Sequence, residues 1–289
     1  MFGKRTLKNF FNIVLKKIIF FSAKNNKTFF VFFTNFFFLF FYFLEKLRKR
    51  DSTRVILRLD KNNNIFYIFD YFLKEKIYFY IPVRVLGFKK GLKVKYEKFL
   101  NYYHLKQIHF EKNDLVVDVG ANIGEIKKSL DYYGAEIKYM GIEPSVSEFK
   151  ILNLNCTKSN NINAGCWNRD GEKDFFISSE TADSSFIKTA SKIEDIKKTK
   201  IIKLENILNE KIKLLKIDAE GGEKEVLEGA KNIMNLIEYI SVDVGYERGK
   251  QKASTFVEVN KLLKEFNFDL IAFDSKLRVV ALYKNSLTN

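Results

Sequence analysis

The run Leu115-Val116-Val117-Asp118-Val119-Gly120-Ala121-Asn122-Ile123-Gly124-Glu125 limits what this chain can fold into more than any other stretch. Its apolar start fits a strand buried on both faces, as parallel sheets require. The glycines fit a tight turn into a helix, where a missing Cβ lets backbone N–H groups approach a ligand. Asp118, at the strand's end, is placed to accept hydrogen bonds from a ligand amine or hydroxyl. A Gly-rich turn alone also describes an ordinary strand-to-helix connection, so a partner motif is needed.

Lys138-Tyr139-Met140-Gly141-Ile142-Glu143-Pro144-Ser145 supplies it. It reads as the next strand and ends in a carboxylate about 20 residues beyond the glycines, where nucleotide-binding α/β folds hold the two hydroxyls of a ribose. Pro144 stops the strand and stiffens the exit. The dinucleotide fingerprint G-x-G-x-x-G would require glycine at 122 and 125, where this chain has Asn122 and Glu125. A carboxylate at Glu125, at a helix start, would also repel a pyrophosphate. S-adenosylmethionine carries no phosphate and tolerates that arrangement.

Five stretches recur in order: Asp118-Val-Gly-Ala-Asn-Ile-Gly124, Ile142-Glu143-Pro144, Ser184-Ser185, Leu215-Lys-Ile-Asp-Ala-Glu-Gly-Gly-Glu223 and Val226-Leu-Glu-Gly-Ala230. Together they resemble the FkbM-type family of S-adenosylmethionine-dependent methyltransferases, over roughly residues 95 to 285. The resemblance implies a Rossmann-like, doubly wound α/β fold with a mostly parallel sheet, as in class I methyltransferases, and O-methylation of sugars or related hydroxyls. It also implies that Asp118, Gly120, Ala121, Asn122, Gly124, Glu143, Pro144 and Asp218 hold the cofactor. Backbone groups from Ala164 to Cys166 would read the adenine edge, with Trp167 stacking or simply packing. Ser184 and Ser185 are candidates for sugar hydrogen bonds.

A formal net charge of +15 invites a nucleic-acid reading. The placement of the charge removes it. Residues 1–50 hold 11 Lys and Arg against the single acid Glu45, leaving 39 basic and 34 acidic residues for the rest. The basic excess flanks an apolar tract, which points to a membrane surface. Residues 1–27 are basic and amphipathic; residues 28–44 are almost all aromatic or aliphatic. As a helix the latter is about 25 Å long, short of a hydrocarbon core of about 30 Å. Thr34 and Asn35 interrupt it, so the tract is expected to contact a membrane, either spanning it or lying on it. Glu45-Lys-Leu-Arg-Lys-Arg50 follows in place of a signal-peptide cleavage site. Because S-adenosylmethionine is made in the cytoplasm, the catalytic domain is expected there, at the cytoplasmic face of a membrane.

The chain is therefore expected to divide into a membrane-associating segment (1–50), a small β and helical region (51–110) and the methyltransferase domain (111–289). Val55–Leu59 and Ile65–Phe69 fit a hairpin, and Ile77–Val85 a third, edge strand. Phe99 to Phe110 fits a helix and connection, and Tyr102 and Tyr103 lie close enough before the glycine strand to reach a cofactor. From 115 onward strand and helix alternate. Asn161–Trp167 fits a third strand and its turn, and Ser179–Ser191 an acceptor-side loop. Phe268–Phe273 and Arg278–Tyr283 fit the closing strands.

Ile212–Asp218 delivers Asp218 to the sheet's carboxyl edge, where α/β ligands bind. Methyl transfer to oxygen needs alignment of donor and acceptor and removal of a proton. Asp218, Glu220 and Asp243 are the catalytic candidates, with Glu247 next and Glu223 read as a helix cap. Asp218 with Asp243 offers hard oxygen ligands for Mg²⁺. Cys156 and Cys166 lack metal spacing and read as reduced thiols; His104 and His109 fit no zinc pattern. Alternatives to a methyltransferase are a membrane-associated cofactor-fold module without catalysis and a nicotinamide-dependent oxidoreductase.

Overall fold

A computed structural model of the chain describes residue 19 and residues 21–178, 184–188, 193–275 and 278–287. Residues divide into two compact units, Met1–Lys95 and Tyr96–Asn289. Of the basic amphipathic stretch 1–27, residues 1–18 and 20 lie outside the described residues, as does most of the expected acceptor-side loop.

The first unit pairs a helix, α1 (Lys27–Leu47), with an antiparallel sheet of β1 (Val55–Asp60), β2 (Ile65–Asp70) and β3 (Glu75–Phe79), in that order. The hairpin forms because Asp60 accepts the backbone N–H groups of Asn62 and Asn63 and caps the turn. The third strand is shorter than its sequence suggests. It ends at Phe79, and Pro82, which lacks an N–H for the ladder, opens a 3-10 turn over Pro82–Phe88. The apolar tract is not a segment apart. Phe30, Thr34 and Phe38 are buried, Phe30 meets Phe66 edge-on at 5.1 Å, and Asn35 bonds to the backbone of Leu57. By length and composition alone α1 suffices to cross a membrane, with mean hydropathy 1.7.

The unit boundary falls inside α2 (Leu92–Tyr102), which begins earlier than the expected start at Phe99. The second unit is built on six strands: β4 (Leu115–Val119), β5 (Lys138–Ile142), β9 (Ile212–Ile217), β10 (Ile237–Asp243), β13 (Phe268–Asp274) and β14 (Val280–Asn285). Their spatial order is β13-β14-β10-β9-β4-β5, and a short separate pair, β11 (Tyr246–Arg248) and β12 (Ala253–Ser254), falls between β10 and β13 in the chain. The β5, β4, β9 and β10 neighbours are parallel, and β14 runs antiparallel to both its neighbours.

All five residues of β4 are buried, and their alternation divides the core. Leu115, Val117 and Val119 pack with Val226 and Leu227 of α5 (Glu223–Glu228) and Val259 and Leu263 of α6 (Phe256–Glu265). Val116 packs on the other face with Leu100 of α2, Ile126 and Leu130 of α3 (Glu125–Tyr133), and Leu152 of α4 (Val146–Asn155). Helices therefore cover both faces, and the doubly wound α/β expectation holds.

The third parallel strand is reduced. Ile162 makes one parallel bridge to Ile142, and β6 (Gly165–Cys166) leaves to pair with β8 (Asp195–Ile202), itself paired with β7 (Gly171–Ile177). Lys-rich β8 escapes sequence reading because most of its side chains face solvent.

Candidate active site

The site lies where β4, β5, β9 and β10 end along one sheet edge. Gly120 follows β4 at φ +71°, and a Cβ there would stand 2.0 Å from the Asp218 carbonyl oxygen. Only glycine lets the turn after β4 pass so close to the end of β9. Gly124 (φ +85°) leads into α3, where a Cβ would meet the Cys156 sulfur at 2.4 Å. Between them Asn122 sits at φ +52°, a left-handed conformation asparagine tolerates.

Glu143 closes this turn from the side. Its carboxylate accepts the Asn122 N–H at 2.9 Å and the Ser145 N–H at 2.8 Å. Asn163 donates to the Glu143 and Pro144 carbonyls, tying the end of β5 to the short third strand. The glycine turn and the strand-end acid thus share one corner, as their sequence spacing suggests.

Asp118, read as a ligand acid, is wholly buried. In β4 it stands directly opposite Lys216 of β9, and both side chains are almost wholly enclosed. Lys216 Nζ lies 2.8 Å from Asp118 and donates to the Gly120 carbonyl at 3.0 Å; Tyr139 donates to Asp118 at 2.5 Å. Burial pushes Asp118 above the ordinary carboxylate range. Burial works against the charge on Lys216, but Asp118 and Asp218 outweigh it and hold the ammonium above its usual value. Asp118 thus anchors the turn from beneath, through Lys216. Lys216 was not singled out from sequence, although a cation within an apolar buried strand was the available signal.

Asp218 stands at the end of β9. It accepts from Tyr103 Oη at 2.6 Å and pairs with Arg278 at 3.2 Å; its other oxygen is buried without a protein hydrogen-bond partner. Burial opposes its ionisation, but Arg278 and Lys216 prevail and hold the carboxyl below its usual value. Tyr103 lies with Lys216 5.2 Å and Arg278 5.9 Å from its ring centroid. Burial raises its phenol well beyond the ordinary range, so it remains a donor.

Arg278 organises the acids. Its Nε lies 2.6 Å from Asp243, its Nη1 reaches Asp218, and its Nη2 lies 3.8 Å from Glu247. Asp243 is buried, also accepts the Gly245 N–H at 3.0 Å, and is pushed by burial to about 6. Burial with Asp218 and Asp243 nearby drives Glu247 to about 9, so it is protonated at neutral pH. Arg278 carried no sequence signal, because it lies 60 residues from Asp218 in an unremarkable turn.

Glu220 follows at φ +49°, a conformation costly for a side chain that is neither glycine nor asparagine. Glu223 caps the same corner by accepting the Ala219 and Gly221 N–H groups and the Thr255 hydroxyl. Atoms of Asp218, Glu220 and Glu247 lie within 4.8 Å of one another, the set best placed to hold a metal. The Asp218–Asp243 pair expected for Mg²⁺ is instead bridged by Arg278, which already supplies the counter-charge. The donor set fits a guanidinium better than Mg²⁺.

Cys166 pairs with Ile202 in the ladder, Trp167 N–H donates to the Ile202 carbonyl, and Ala164 is fully buried. Trp167 packs against Phe186. Ser185 donates to the Glu220 carbonyl and Ser184 accepts from Ser178, so both serve the fold. Both cysteines are buried free thiols; burial pushes Cys156 up to about 12 and Cys166 higher.

Residues 118–270 match the family model described as the methyltransferase FkbM domain. A search of curated proteins gives no match. Among solved structures, methyltransferase FkbM from Methylobacillus flagellatus KT is 14% identical, with a TM-score of 0.45 over 70% of this chain and 54% of that one. This chain therefore spans about half of that protein. A putative rRNA-methylase from Clostridium thermocellum is 11% identical, with a TM-score of 0.43 over 65% and 96% of the two chains. TrmK from M. capricolum, solved with S-adenosyl-homocysteine, is 9% identical, with a TM-score of 0.38 over 65% and 68%. The family match covers more than half of the 289 residues and coincides with the sheet that carries the glycine turn, Glu143 and Asp218, and this chain belongs to the FkbM family of methyltransferases.

Proposed function

We propose that the protein transfers a methyl group from S-adenosylmethionine to a hydroxyl of a sugar, glycan or related small molecule. The observation carrying this reading is the corner in which Glu143 accepts the Asn122 N–H of the glycine turn while Asp218 stands across from Gly120. Glu143 would take the ribose hydroxyls, and the partnerless oxygen of Asp218 suits the donor's ammonium. When bound, the donor supplies an electrophilic methyl on a sulfonium.

The acids divide the remaining work. Asp218 stays ionised and is fixed by Tyr103 and Arg278, so it orients rather than accepts a proton. Asp243 is enclosed and bound to Arg278. Glu220, partly exposed at the outer corner, is the acid able to take the acceptor's proton as its oxygen bonds to the methyl carbon and the carbon–sulfur bond breaks. Arg278 pairs with both Asp218 and Asp243 and supplies the local counter-charge in this division.

Little basic excess outside residues 1–50 favours a small acceptor over nucleic acid, and the cytoplasmic supply of the donor favours that compartment. The test is transfer of labelled methyl from S-adenosylmethionine to extracts of hydroxylated metabolites, nucleotide sugars and lipid-linked glycans. Label released by mild acid or base as expected of an ester, or found on nitrogen, would overturn O-methylation of an alcohol.

A further inference from the structure

The described part of the first unit leaves one face of α1 uncovered. Phe32, Phe36, Phe40, Phe43 and Leu47 are between 55% and 81% exposed. At 3.6 residues per turn they centre about 180° from the buried Phe30, Thr34 and Phe38. A contiguous aromatic stripe of this kind marks an interaction surface rather than ordinary scatter.

We infer that α1 lies in the plane of an anionic membrane surface, its phenylalanine stripe in the lipid and its opposite face held on the sheet of its own unit. Three observations carry this. First, α1 is tethered along its length to the rest of its unit: the β1–β2 turn, β1 itself and the turn after Phe88. Lys27 donates to Asn64, Asn35 accepts the Leu57 N–H at 2.7 Å and donates to the Leu57 carbonyl at 2.9 Å, and Glu45 pairs with Lys90 at 2.8 Å. The Asn35 amide thus serves edge strand β1 as a neighbouring strand would. From residue 27 to 45 the tethers run over about 27 Å of helix. A spanning α1 would carry a polar-edged sheet through the hydrocarbon or abandon every one of them.

Second, the polar residues that interrupt the tract, Thr34 and Asn35, together with Glu45, belong to the docked face, so they never meet lipid. Third, both ends of α1 are basic: Lys24 and Lys27 precede its middle, and Lys46, Arg48, Lys49 and Arg50 follow. A span would put one cluster on the translocated side, against the usual bias; an in-plane helix sets both against one layer of anionic headgroups. This inference is independent of the methyl-transfer reading.

The full chain is mixed with preformed, sealed vesicles of phosphatidylcholine plus phosphatidylglycerol and floated. The expected result is that wild type floats, and that Phe32→Ser/Phe36→Ser/Phe40→Ser/Phe43→Ser lowers the bound fraction by about tenfold or more while remaining monodisperse. Single variants Lys24→Cys and Arg48→Cys, bound to the vesicles, should both react with an externally added membrane-impermeant maleimide; the native thiols are buried and silent. Protection of one end by the bilayer would show a span and overturn the inference. So would flotation unchanged by the four serines, or a wild-type chain that forms dimers through this face and ignores the vesicles.

Discussion

Lys216→Met tests whether the buried pair beneath the glycine turn holds that turn in place. The substitution keeps the length of the side chain but leaves Asp118 enclosed with no counter-charge, its lysine formerly 2.8 Å away and both side chains at most 3% exposed. Removing one member of such a pair costs about 3–5 kcal/mol. Asp118 already stands above the ordinary carboxylate value because of burial, and loss of Lys216 raises it further. A carboxyl whose folded value lies above its unfolded value of about 3.9 binds the proton more tightly in the folded state. Its contribution to stability is therefore favourable at low pH and is lost as pH rises through the folded value. The deficit of Lys216→Met should thus be greatest near pH 8 and shrink on acidification. Denaturant unfolding followed by the fluorescence of Trp167, the single tryptophan, measures it. Asp118→Leu/Lys216→Met should recover most of the loss, since apolar replacement of a buried pair is often neutral. Both variants also lose the bond from Lys216 to the Gly120 carbonyl, so even the recovered one should bind S-adenosylmethionine more weakly. A deficit below about 1 kcal/mol, or one unchanged between pH 5 and 8, would refute the reasoning.

Glu143→Ala should weaken S-adenosylmethionine binding by about tenfold or more in calorimetric titration, with the fold retained; unchanged affinity would count against the assigned corner. Gly120→Ala should destabilise by more than the roughly 1–2 kcal/mol of left-handed strain alone, because its Cβ meets the Asp218 carbonyl; thermal melting reads the loss. Glu220→Gly relieves strain at φ +49° and should leave stability within about 1 kcal/mol while depressing turnover about a hundredfold, an unchanged rate ruling out Glu220 as base. Asn35→Ala leaves the Leu57 N–H and carbonyl unpaired and should cost about 1–3 kcal/mol, read as faster hydrogen exchange in β1.

The order of strands from 115 onward was legible because each buried strand is an apolar run punctuated by glycine, proline or a strand-end acid. What the sequence left open shares a cause. Strand β8 exposes its lysines, so its composition resembles a loop. Asp118 sits at the position of a ligand acid, yet its direction depends on which residue of the neighbouring strand lies opposite, and that is Lys216. Ser184 and Ser185 belong to the motif but are spent on the backbone of Ser178 and Glu220.

The sequence by itself determined the corner of glycine turn and strand-end acid, since a side-chain-free bend and an acid on the following strand are set by local chemistry and spacing. It also determined that residues 28–44 are too apolar to stand wholly in water. Only the tertiary structure decided which groups face one another across the sheet edge. Arg278 gathers Asp218 and Asp243, Tyr103 fixes Asp218, and Asn35 seals the edge of β1. Strand register and chain reversal bring these groups together from distant parts of the sequence, where no periodicity records the meeting.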